Sequence, residues 1–474
     1  MPDAIQFQNE NQSNATRELL HTTEPHSLRT FTPSQAVFRR SAGVYHWTPE
    51  FRRLYDYSSG VLVANLGHNP QRWLQRLFEY MAWGQDLFSG QTEWEGVPTG
   101  YYPAVTLTAY NAMTELEGQA SQRLVESLQK TDHGKHLRKV AWSASGSEAV
   151  QKALWACLGR DPQRDIILAT RYGFHGKKGL AGAVTGSEKD KNRDPRVKFI
   201  AFPMEECDDL DSPSREYDPS VYQQELDQLW QEYGNRITCV ITEPYLGGGG
   251  SYHPPKEYHQ QLERWCREHD VLLIFDEVQA NFGRTGEMYA FEAYGITPDF
   301  VCLGKGLGNG VPVSAAVGRA DILEKMGYGE TSDTWSANPL SCASVLATLD
   351  EFQQIDVLGN THKLNELFVS KLSALKETGV ISKVRGEGMV FGIECAGIGD
   401  HSPGDVANAV VRECYLGEPD GDGIHLLGAL ATKVLRVSPP MTMTMDEAEA
   451  SLGLLHRLIQ RTAENLGAVP AGSV

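Results

Sequence analysis

The sequence has no uninterrupted apolar stretch long enough to cross a membrane. A membrane-spanning helix needs about 20 predominantly apolar residues, and no run approaching that length occurs in the 474 residues. Residues 1–26 are polar and lack the apolar centre of a signal peptide. We therefore expect a soluble, cytoplasmic protein with no membrane partner.

Positive charge is scarce. The chain carries 43 lysine and arginine residues against 61 aspartate and glutamate residues, which gives a formal net charge of −18. A surface with this balance repels the phosphodiester backbone of nucleic acids. The composition therefore argues against nucleic acid as a partner.

Closely spaced cysteine pairs are also absent. The 8 cysteines lie singly, and several of them fall inside apolar runs. Without a CxxC pair, the pattern indicates buried thiols in a reducing compartment rather than a disulfide framework or a zinc motif. We expect no metal site.

The chain does contain enough apolar residues, 41% of the total, to form a large core. Apolar runs of strand length alternate with helical patterns, which predicts an α/β fold with a mostly parallel sheet between helices. These runs lie near 138–142, 165–169, 197–202, 236–242, 271–275, 299–303 and 312–317. After about residue 345 the pattern indicates a smaller α+β lobe, whose last helix opens with a capping box at Thr444.

These changes of pattern predict four regions along the chain. Residues 1–35 show little periodicity, so we expect a flexible N-terminal arm. Residues 36–100 form a segment that contributes to the small lobe, and residues 101–345 form the large domain. Residues 346–474 form the C-terminal small domain.

A lysine in a glycine-rich turn directly follows the apolar run at 299–303. Lys305 could bind a phosphate as a point charge, or its amine could form a Schiff base with a carbonyl cofactor. The phosphate-loop pattern fails because position 299 is Asp and Gly306 follows the lysine, and the dinucleotide pattern fails at Asn309. The Schiff-base interpretation is therefore favoured.

Other strand ends carry residues suited to the same cofactor, since ligands of parallel sheets bind at the carboxyl ends of the strands. Gly146 and Ser147 open a helix, either as an anion site or beside an ordinary serine N-cap. Phe174 lies between glycines and could stack on a planar ring. Asp276 closes an apolar strand, where it could pair with a pyridinium nitrogen, cap a helix or form an ion pair with Arg284. Together with the lysine, these residues meet the needs of pyridoxal phosphate.

Over roughly residues 40–465 the chain resembles the class III aminotransferases, a family of fold-type I pyridoxal-phosphate enzymes. The resemblance implies a large cofactor-binding domain with a mostly parallel sheet and a smaller α+β lobe. The motifs that carry it, in chain order, are Ser145-Gly-Ser-Glu-Ala149, Phe174-His-Gly176, Glu243-Pro244, Asp276-Glu-Val-Gln279, Gly283-Arg-Thr-Gly286, Leu303-Gly-Lys-Gly306, Thr334-Trp-Ser-Ala-Asn-Pro-Leu340, Val384-Arg-Gly-Glu-Gly388 and Leu435-Arg-Val-Ser-Pro-Pro440.

The resemblance implies a role for each matching residue. Lys305 would be the Schiff-base lysine and proton shuttle, and Asp276 the partner of the pyridinium nitrogen. Arg436 would bind a substrate carboxylate. Thr334 would reach the cofactor phosphate of a neighbouring subunit, which implies a homodimer with shared active sites. Further cofactor contacts are implied for Gly146 and Ser147 at the phosphate, Phe174 and Val278 at the ring faces, Gln279 near the phenolic oxygen, and His175 and Glu243.

Two positions depart from the pattern of relatives that use glutamate as donor. Those relatives commonly show Glu-Pro-x-Gln-Gly-Glu, whereas this chain ends the motif with Gly248. They also tend to carry arginine directly after His-Gly, where this chain has Lys177. Both positions shape substrate choice, and Lys177 is a candidate substrate-binding residue.

The sequence thus predicts pyridoxal-phosphate-dependent transamination between an amino donor and an oxo acid. The donor would be an amino acid, an ω-amino acid or an amine, and the acceptor pyruvate or 2-oxoglutarate. An aminomutase, racemase or decarboxylase would share Lys305 and Asp276, so the motifs leave those activities open. A regulatory protein that has lost turnover is disfavoured, because it would not need the Schiff-base lysine.

Overall fold

The structure, a computed structural model, describes residues 4–84, 89, 94–190, 193–419 and 421–468. The strands are β1 (Arg40–Ala42), β2 (Tyr45–Trp47), β3 (Arg53–Asp56), β4 (Lys139–Ser143), β5 (Ile166–Thr170), β6 (Val197–Ile200), β7 (Ile237–Thr242), β8 (Leu272–Asp276), β9 (Phe300–Leu303), β10 (Ser314–Gly318), β11 (Ile381–Glu387), β12 (Val390–Cys395), β13 (Gly423–His425) and β14 (Val434–Val437).

The α-helices lie between and around these strands. They are α1 (Asn11–Thr23), α2 (Ser59–Leu62), α3 (Gln71–Tyr80), α4 (Glu115–Gln129), α5 (Gly146–Arg160), α6 (Gly179–Ala183), α7 (Pro219–Tyr233), α8 (Gly247–Gly250), α9 (Lys256–Glu268), α10 (Ala290–Tyr294), α11 (Ala320–Leu323), α12 (Pro339–Gln354), α13 (Val357–Ser373), α14 (Pro403–Leu416) and α15 (Met445–Leu466). The capping box predicted at Thr444 is confirmed, because its side chain accepts from the N–H of Glu447.

A seven-stranded sheet forms the centre of the large domain, in the order β4-β10-β9-β8-β7-β5-β6. The five strands from β9 to β6 run parallel, which confirms the predicted mostly parallel sheet. Strand β10 is antiparallel to both of its neighbours. The connection from β9 to β10 is too short for the crossover of a dozen or more residues that a parallel pair needs.

Two smaller sheets complete the fold. Strands β11, β12 and β14 form an antiparallel sheet in the C-terminal region. Strands β1, β2 and β3 form a second sheet with β13, which pairs with β3 in parallel. Residues near the start of the chain and residues after 420 therefore share one sheet.

Helix α1 lies within the segment for which we expected a flexible arm. Its Arg17 is buried, forms an ion pair with Glu10 at 2.7 Å and donates a hydrogen bond to the hydroxyl of Tyr415 at 2.9 Å. These contacts join the segment to helix α14, and the weak periodicity of the sequence did not indicate them.

All eight cysteines are free, and all except the half-buried Cys207 are buried, as the sequence predicted. Among the described residues, no helix is long and apolar enough to cross a membrane.

Candidate active site

A cavity of about 370 Å³ opens at the carboxyl ends of the parallel strands. Most of the site residues predicted from the sequence line it. They are Gly146, Ser147, Phe174, His175, Glu243, Asp276, Val278, Gln279 and Lys305. The structure therefore brings together residues that lie up to about 160 positions apart along the chain.

Lys305 is separated from the end of β9 by Gly304 alone and has a φ of +45°, in the left-handed region that non-glycine residues rarely adopt. Such a conformation costs about 1–3 kcal/mol and persists only where the surroundings impose it. At Gly306, a Cβ would lie 2.3 Å from Nδ2 of Asn65, so only glycine fits beside this lysine. Burial lowers the pKa of the Lys305 amine, against the opposing effect of Asp276. The fraction of the Lys305 amine that is neutral and nucleophilic is therefore larger than in an exposed lysine.

Asp276 ends strand β8, beside β9, and its carboxylate is buried. Its Oδ2 lies 2.8 Å from Nδ1 of His175, and its Oδ1 accepts a hydrogen bond of 3.0 Å from the N–H of Val278. The Nε2 of His175 is buried and has no hydrogen-bond partner among the described residues. The two contacts fix the carboxylate at the wall of the cavity.

The amino-terminal end of α5 forms another wall. The hydroxyl of Ser145 accepts from the N–H of Glu148, and the Glu148 carboxylate accepts in return from the N–H of Ser145. The predicted serine cap is therefore present. A cap of this kind leaves other first-turn N–H groups available to an anion, and Gly146 and Ser147 both face the cavity. A Cβ at Gly146 would lie only 2.8 Å from Val278, so glycine permits this close approach.

Glu243 follows β7 and is almost fully buried. Its carboxylate accepts hydrogen bonds from the N–H of Phe174 at 2.8 Å and of Gly247 at 3.3 Å. Burial raises the pKa of Glu243 to about 7, although the nearby His175 acts in the opposite direction. The cavity therefore contains a carboxyl group that titrates near neutral pH.

Arg436 lies in β14, behind the glycine-rich helix α8, and does not line the cavity. Its Nη2 donates a hydrogen bond of 2.6 Å to the carbonyl of Gly247, and its buried Nε has no partner among the described residues. Burial lowers the pKa of Arg436, while Tyr245 and Glu243 raise it. Within the described part of the chain, no carboxylate forms an ion pair with this guanidinium.

Two predicted residues lie outside this cavity. Lys177 is exposed, one residue beyond the cavity-lining Gly176. Thr334 is exposed in the loop before α12, next to Asp333, which forms an ion pair of 2.8 Å with Lys152. The structure does not bring Lys177 or Thr334 into contact with Lys305 within one chain.

Comparison with known proteins identifies the family. The sequence profile described as Aminotransferase class-III matches residues 102–459. The chain belongs to the class-III aminotransferases.

Relatives of this aminotransferase cover most of its length. It is 30% identical over 330 residues to the acetylornithine aminotransferase of Clostridium acetobutylicum, in an alignment covering 68% of this chain and 77% of that enzyme. It is 27% identical over 449 residues to the leucine/methionine racemase of Thermococcus litoralis, covering 92% of each chain. The predicted family and the predicted aminotransferase activity are confirmed.

The fold also has relatives among solved structures. An (S)-enantioselective ω-transaminase from Thermomicrobium roseum matches with a TM-score of 0.78 and 21% identity, over 97% of this chain and 100% of that chain. The predicted α/β architecture of fold-type I is thereby confirmed.

Sequence reasoning missed part of the cavity wall of this aminotransferase. Val63 reaches the cavity from the segment after α2, and residues 310–313 reach it from the connection between β9 and β10. Residues 310–313 end the glycine-rich turn that contains Lys305, and this closeness in sequence could have indicated that they line the cavity. Nothing in the sequence around Val63 indicated its contact with a domain that begins far along the chain.

Proposed function

We propose that this aminotransferase holds pyridoxal phosphate in the cavity and exchanges an amino group between an amino donor and an oxo acid. The donor is an amino acid, an ω-amino acid or an amine, and the acceptor is pyruvate or 2-oxoglutarate. One observation carries the proposal. Asp276 at the end of β8, Lys305 just after the adjacent β9 and the amino-terminal end of α5 all line the same cavity.

The residues present fit this cofactor. His175 and Gln279 both line the cavity, and the buried Nε2 of His175 and Oε1 of Gln279 have no hydrogen-bond partners among the described residues. The glycine at position 146 keeps a recess that a Cβ would fill against Val278. The free N–H groups at the start of α5 suit a phosphate, because the helix end carries partial positive charge.

When bound, pyridoxal phosphate supplies the electron sink that stabilises negative charge on the reacting carbon of the substrate. Asp276, held by His175 and the N–H of Val278, places a carboxylate where it can keep a ring nitrogen protonated. Phe174 and Val278 both line the cavity, where their apolar side chains would exclude water from the faces of a planar ring. Lys305 would hold the cofactor covalently, and its neutral Nζ would move the proton of the substrate carbon.

Arg436 is the proposed site for a substrate carboxylate. Its only hydrogen bond among the described residues goes to the carbonyl of Gly247, and its Nε is unpaired, so donors remain for a bidentate contact. The glycine at position 248 offers no acidic side chain that could occupy the guanidinium. Lys177 is flexible and exposed, and it is the proposed contact for the second carboxylate of a dicarboxylic acceptor.

A homodimer with shared active sites is part of the proposal. Thr334 lies outside the cavity of its own chain, in an exposed loop with Trp335, which is 65% exposed. Tyr328, in the preceding segment, is fully exposed. Aromatic side chains are enriched at protein–protein interfaces, so we place this loop at the dimer interface, from which Thr334 would reach the cofactor phosphate of the partner.

Amine transfer to pyruvate and to 2-oxoglutarate tests the proposal directly. We expect the amino acid formed from the acceptor and the carbonyl product of the donor in equal amounts. A racemase, the activity in the name of the Thermococcus litoralis relative, would instead invert an amino acid with no acceptor present. Chirality measured with and without acceptor separates the two activities.

A further inference from the structure

Three histidines and an aspartate form a second cluster of functional side chains, none of which lines the Lys305 cavity. His46 lies in β2, and Asp56 ends β3. His425 ends β13 and is paired with Asp56 in the parallel register of these two strands. His68 lies in the turn before α3 and forms an isolated bridge with Gly43, next to β2.

The carboxylate of Asp56 is at the centre of this cluster. Its Oδ1 accepts hydrogen bonds of 2.7 Å from both the N–H and the hydroxyl of Ser58. Its Oδ2 lies 2.6 Å from Nε2 of His68 and 3.4 Å from Nε2 of His46. One potential ligand atom from each of Asp56, His46 and His68 lies within 4.8 Å of the other two.

The ring of His46 is oriented toward the carboxylate by its surroundings. Its Nδ1 lies 2.7 Å from the hydroxyl of Ser41, and Phe38 stacks on the ring with a centroid separation of 3.9 Å. Its Nε2 is buried and has no hydrogen-bond partner among the described residues. Metal-binding histidines typically show this arrangement, in which one ring nitrogen is held by a second residue and the other faces the ion.

The third histidine of the cluster, His425, lies beside these side chains, with its ring centroid 5.7 Å from that of His46. The Nδ1 of His425 is buried and unpartnered within the described residues.

We propose that His46, Asp56 and His68 bind one divalent transition-metal ion of the Zn²⁺ type. This site goes beyond the proposed transamination and replaces our expectation of no metal, which rested on the cysteine pattern alone. Mixed nitrogen and oxygen donors favour Zn²⁺ over Mg²⁺ or Ca²⁺, which prefer oxygen ligands only.

Of the two donor spacings at Asp56, the one to His46 already suits this ion and the one to His68 is shorter. Zinc binds nitrogen and oxygen donors at about 2.0–2.2 Å, so tetrahedral donors lie about 3.3–3.6 Å apart. The 3.4 Å separation of His46 and Asp56 meets this value. The 2.6 Å contact between His68 and Asp56 must open by less than about 1 Å to do so.

The ion would have a structural role. Its three ligands connect β2, the end of β3 and the turn before α3, and His425 extends the cluster to β13 near the end of the chain. A metal there would join the early and late segments that share the four-stranded sheet. Its removal is expected to lower the melting temperature of the holoenzyme more than its rate of amine transfer.

Metal analysis of the holoenzyme tests the site. After chelation and dialysis, we expect wild type to take up one Zn²⁺ per chain with a rise in Tm, and Co²⁺ to give a visible d–d absorption band. His46→Gln should weaken Zn²⁺ affinity more than about 100-fold, since losing even an outer partner of a ligand costs about 10–100-fold. It should also abolish the cobalt band while the bound-cofactor absorbance is retained.

His136→Gln is the matched control, because His136 is half-buried and lies outside the cluster. It should bind zinc as wild type does. The proposal is overturned if wild type takes up no tight zinc, or if His46→Gln and wild type retain the same amount. If His46→Gln does not fold, His68→Gln takes its place, and zinc uptake by wild type still decides the question.

Discussion

The Oδ2 of Asp276 lies 2.8 Å from Nδ1 of His175, and the opposite nitrogen of that imidazole is buried without a partner among the described residues. The carboxylate is thereby held in one orientation at the end of β8. Asp276→Asn should preserve this packing while removing the charge that keeps a ring nitrogen protonated. We expect kcat for amine transfer to fall by orders of magnitude, about 10²-fold or more, with an unchanged circular dichroism spectrum.

Two contributions to kcat can be separated by mutation: the charge of Asp276 and its orientation by His175. His175→Asn leaves the Asp276 carboxylate charged but removes the contact that orients it. We expect a smaller loss of kcat than in Asp276→Asn. Near-normal turnover in a well-folded Asp276→Asn protein would rule out the proposed role of this carboxylate.

Lys305 should be the residue to which the cofactor is covalently attached. Its position at a strand end, its left-handed backbone and its lowered pKa all favour a reactive amine. Borohydride reduction of the yellow holoenzyme should fix the cofactor to the peptide that contains Lys305, as mass spectrometry can establish.

Lys177→Ala is the matched control for this labelling, because Lys177 is exposed near the same cavity. It should retain the label, and Lys305→Ala should lose it. A label on any other lysine of the wild-type protein would contradict the assignment.

The sequence was informative where the chemistry lies at the ends of consecutive parallel strands. Lys305 and Asp276 each follow an apolar run, and parallel strands bring their carboxyl ends to one edge, so their proximity could be expected. The position of Arg436 behind α8 could not be derived in the same way, because it depends on how β14 packs against another domain. The same holds for His46 and His425, which lie near opposite ends of the chain and are brought together by strand pairing.

Glu243 should make stability depend on pH. Burial raises its pKa from the ordinary 4.5 to about 7, so the folded protein keeps a proton that the unfolded chain releases above about pH 4.5. Ionising the buried Glu243 carboxyl lowers the free energy of unfolding. This cost is absent below pH 4.5, grows as pH rises to about 7 and is constant above pH 7. With 1.36 kcal/mol per pKa unit, it reaches about 3 kcal/mol.

Glu243→Gln removes this titration and keeps an oxygen that can accept the N–H of Phe174. The free energy of unfolding of the variant should therefore increase relative to wild type between pH 5 and pH 7, as urea titrations at each pH can measure. Exposed Glu366→Gln is the control and should show no such trend. A pH-independent difference for Glu243→Gln would show that this carboxyl is not the titrating group.

Thr334 should act in the active site of a partner subunit. Thr334→Ala removes a hydroxyl expected to donate to the cofactor phosphate of the neighbouring chain, so cofactor retention should weaken by about 10-fold. Mixing inactive Lys305→Ala with Thr334→Ala chains should restore part of the activity, because one mixed site carries both intact residues. A fully active monomer in light scattering would be incompatible with shared sites.

Arg436 should determine affinity for the oxo-acid acceptor. Its guanidinium is buried and, within the described residues, bonded only to the carbonyl of Gly247, so Arg436→Ala should remove a charge-assisted contact worth roughly 2–5 kcal/mol. We expect KM for pyruvate and 2-oxoglutarate to rise sharply, and pyruvate to compete well with 2-oxoglutarate in wild type. Unchanged KM values in Arg436→Ala would exclude this arginine as the carboxylate-binding residue.

Gly248→Glu tests whether an acidic side chain at position 248 limits the availability of the Arg436 guanidinium to a substrate carboxylate. A Cβ at this position would lie 3.0 Å from Cβ of Phe174, so any side chain there displaces the aromatic ring slightly. Gly248→Ala therefore serves as the control for that steric effect. If a carboxylate at 248 pairs with Arg436, Gly248→Glu should raise KM for the acceptor well beyond Gly248→Ala, and the excess should vanish in an Arg436→Ala background because the acid then has no partner. Equal KM values for the two position-248 variants would show that the steric change alone affects acceptor binding. Use of 2-oxoglutarate alone by wild type would contradict our interpretation of Gly248 and Lys177.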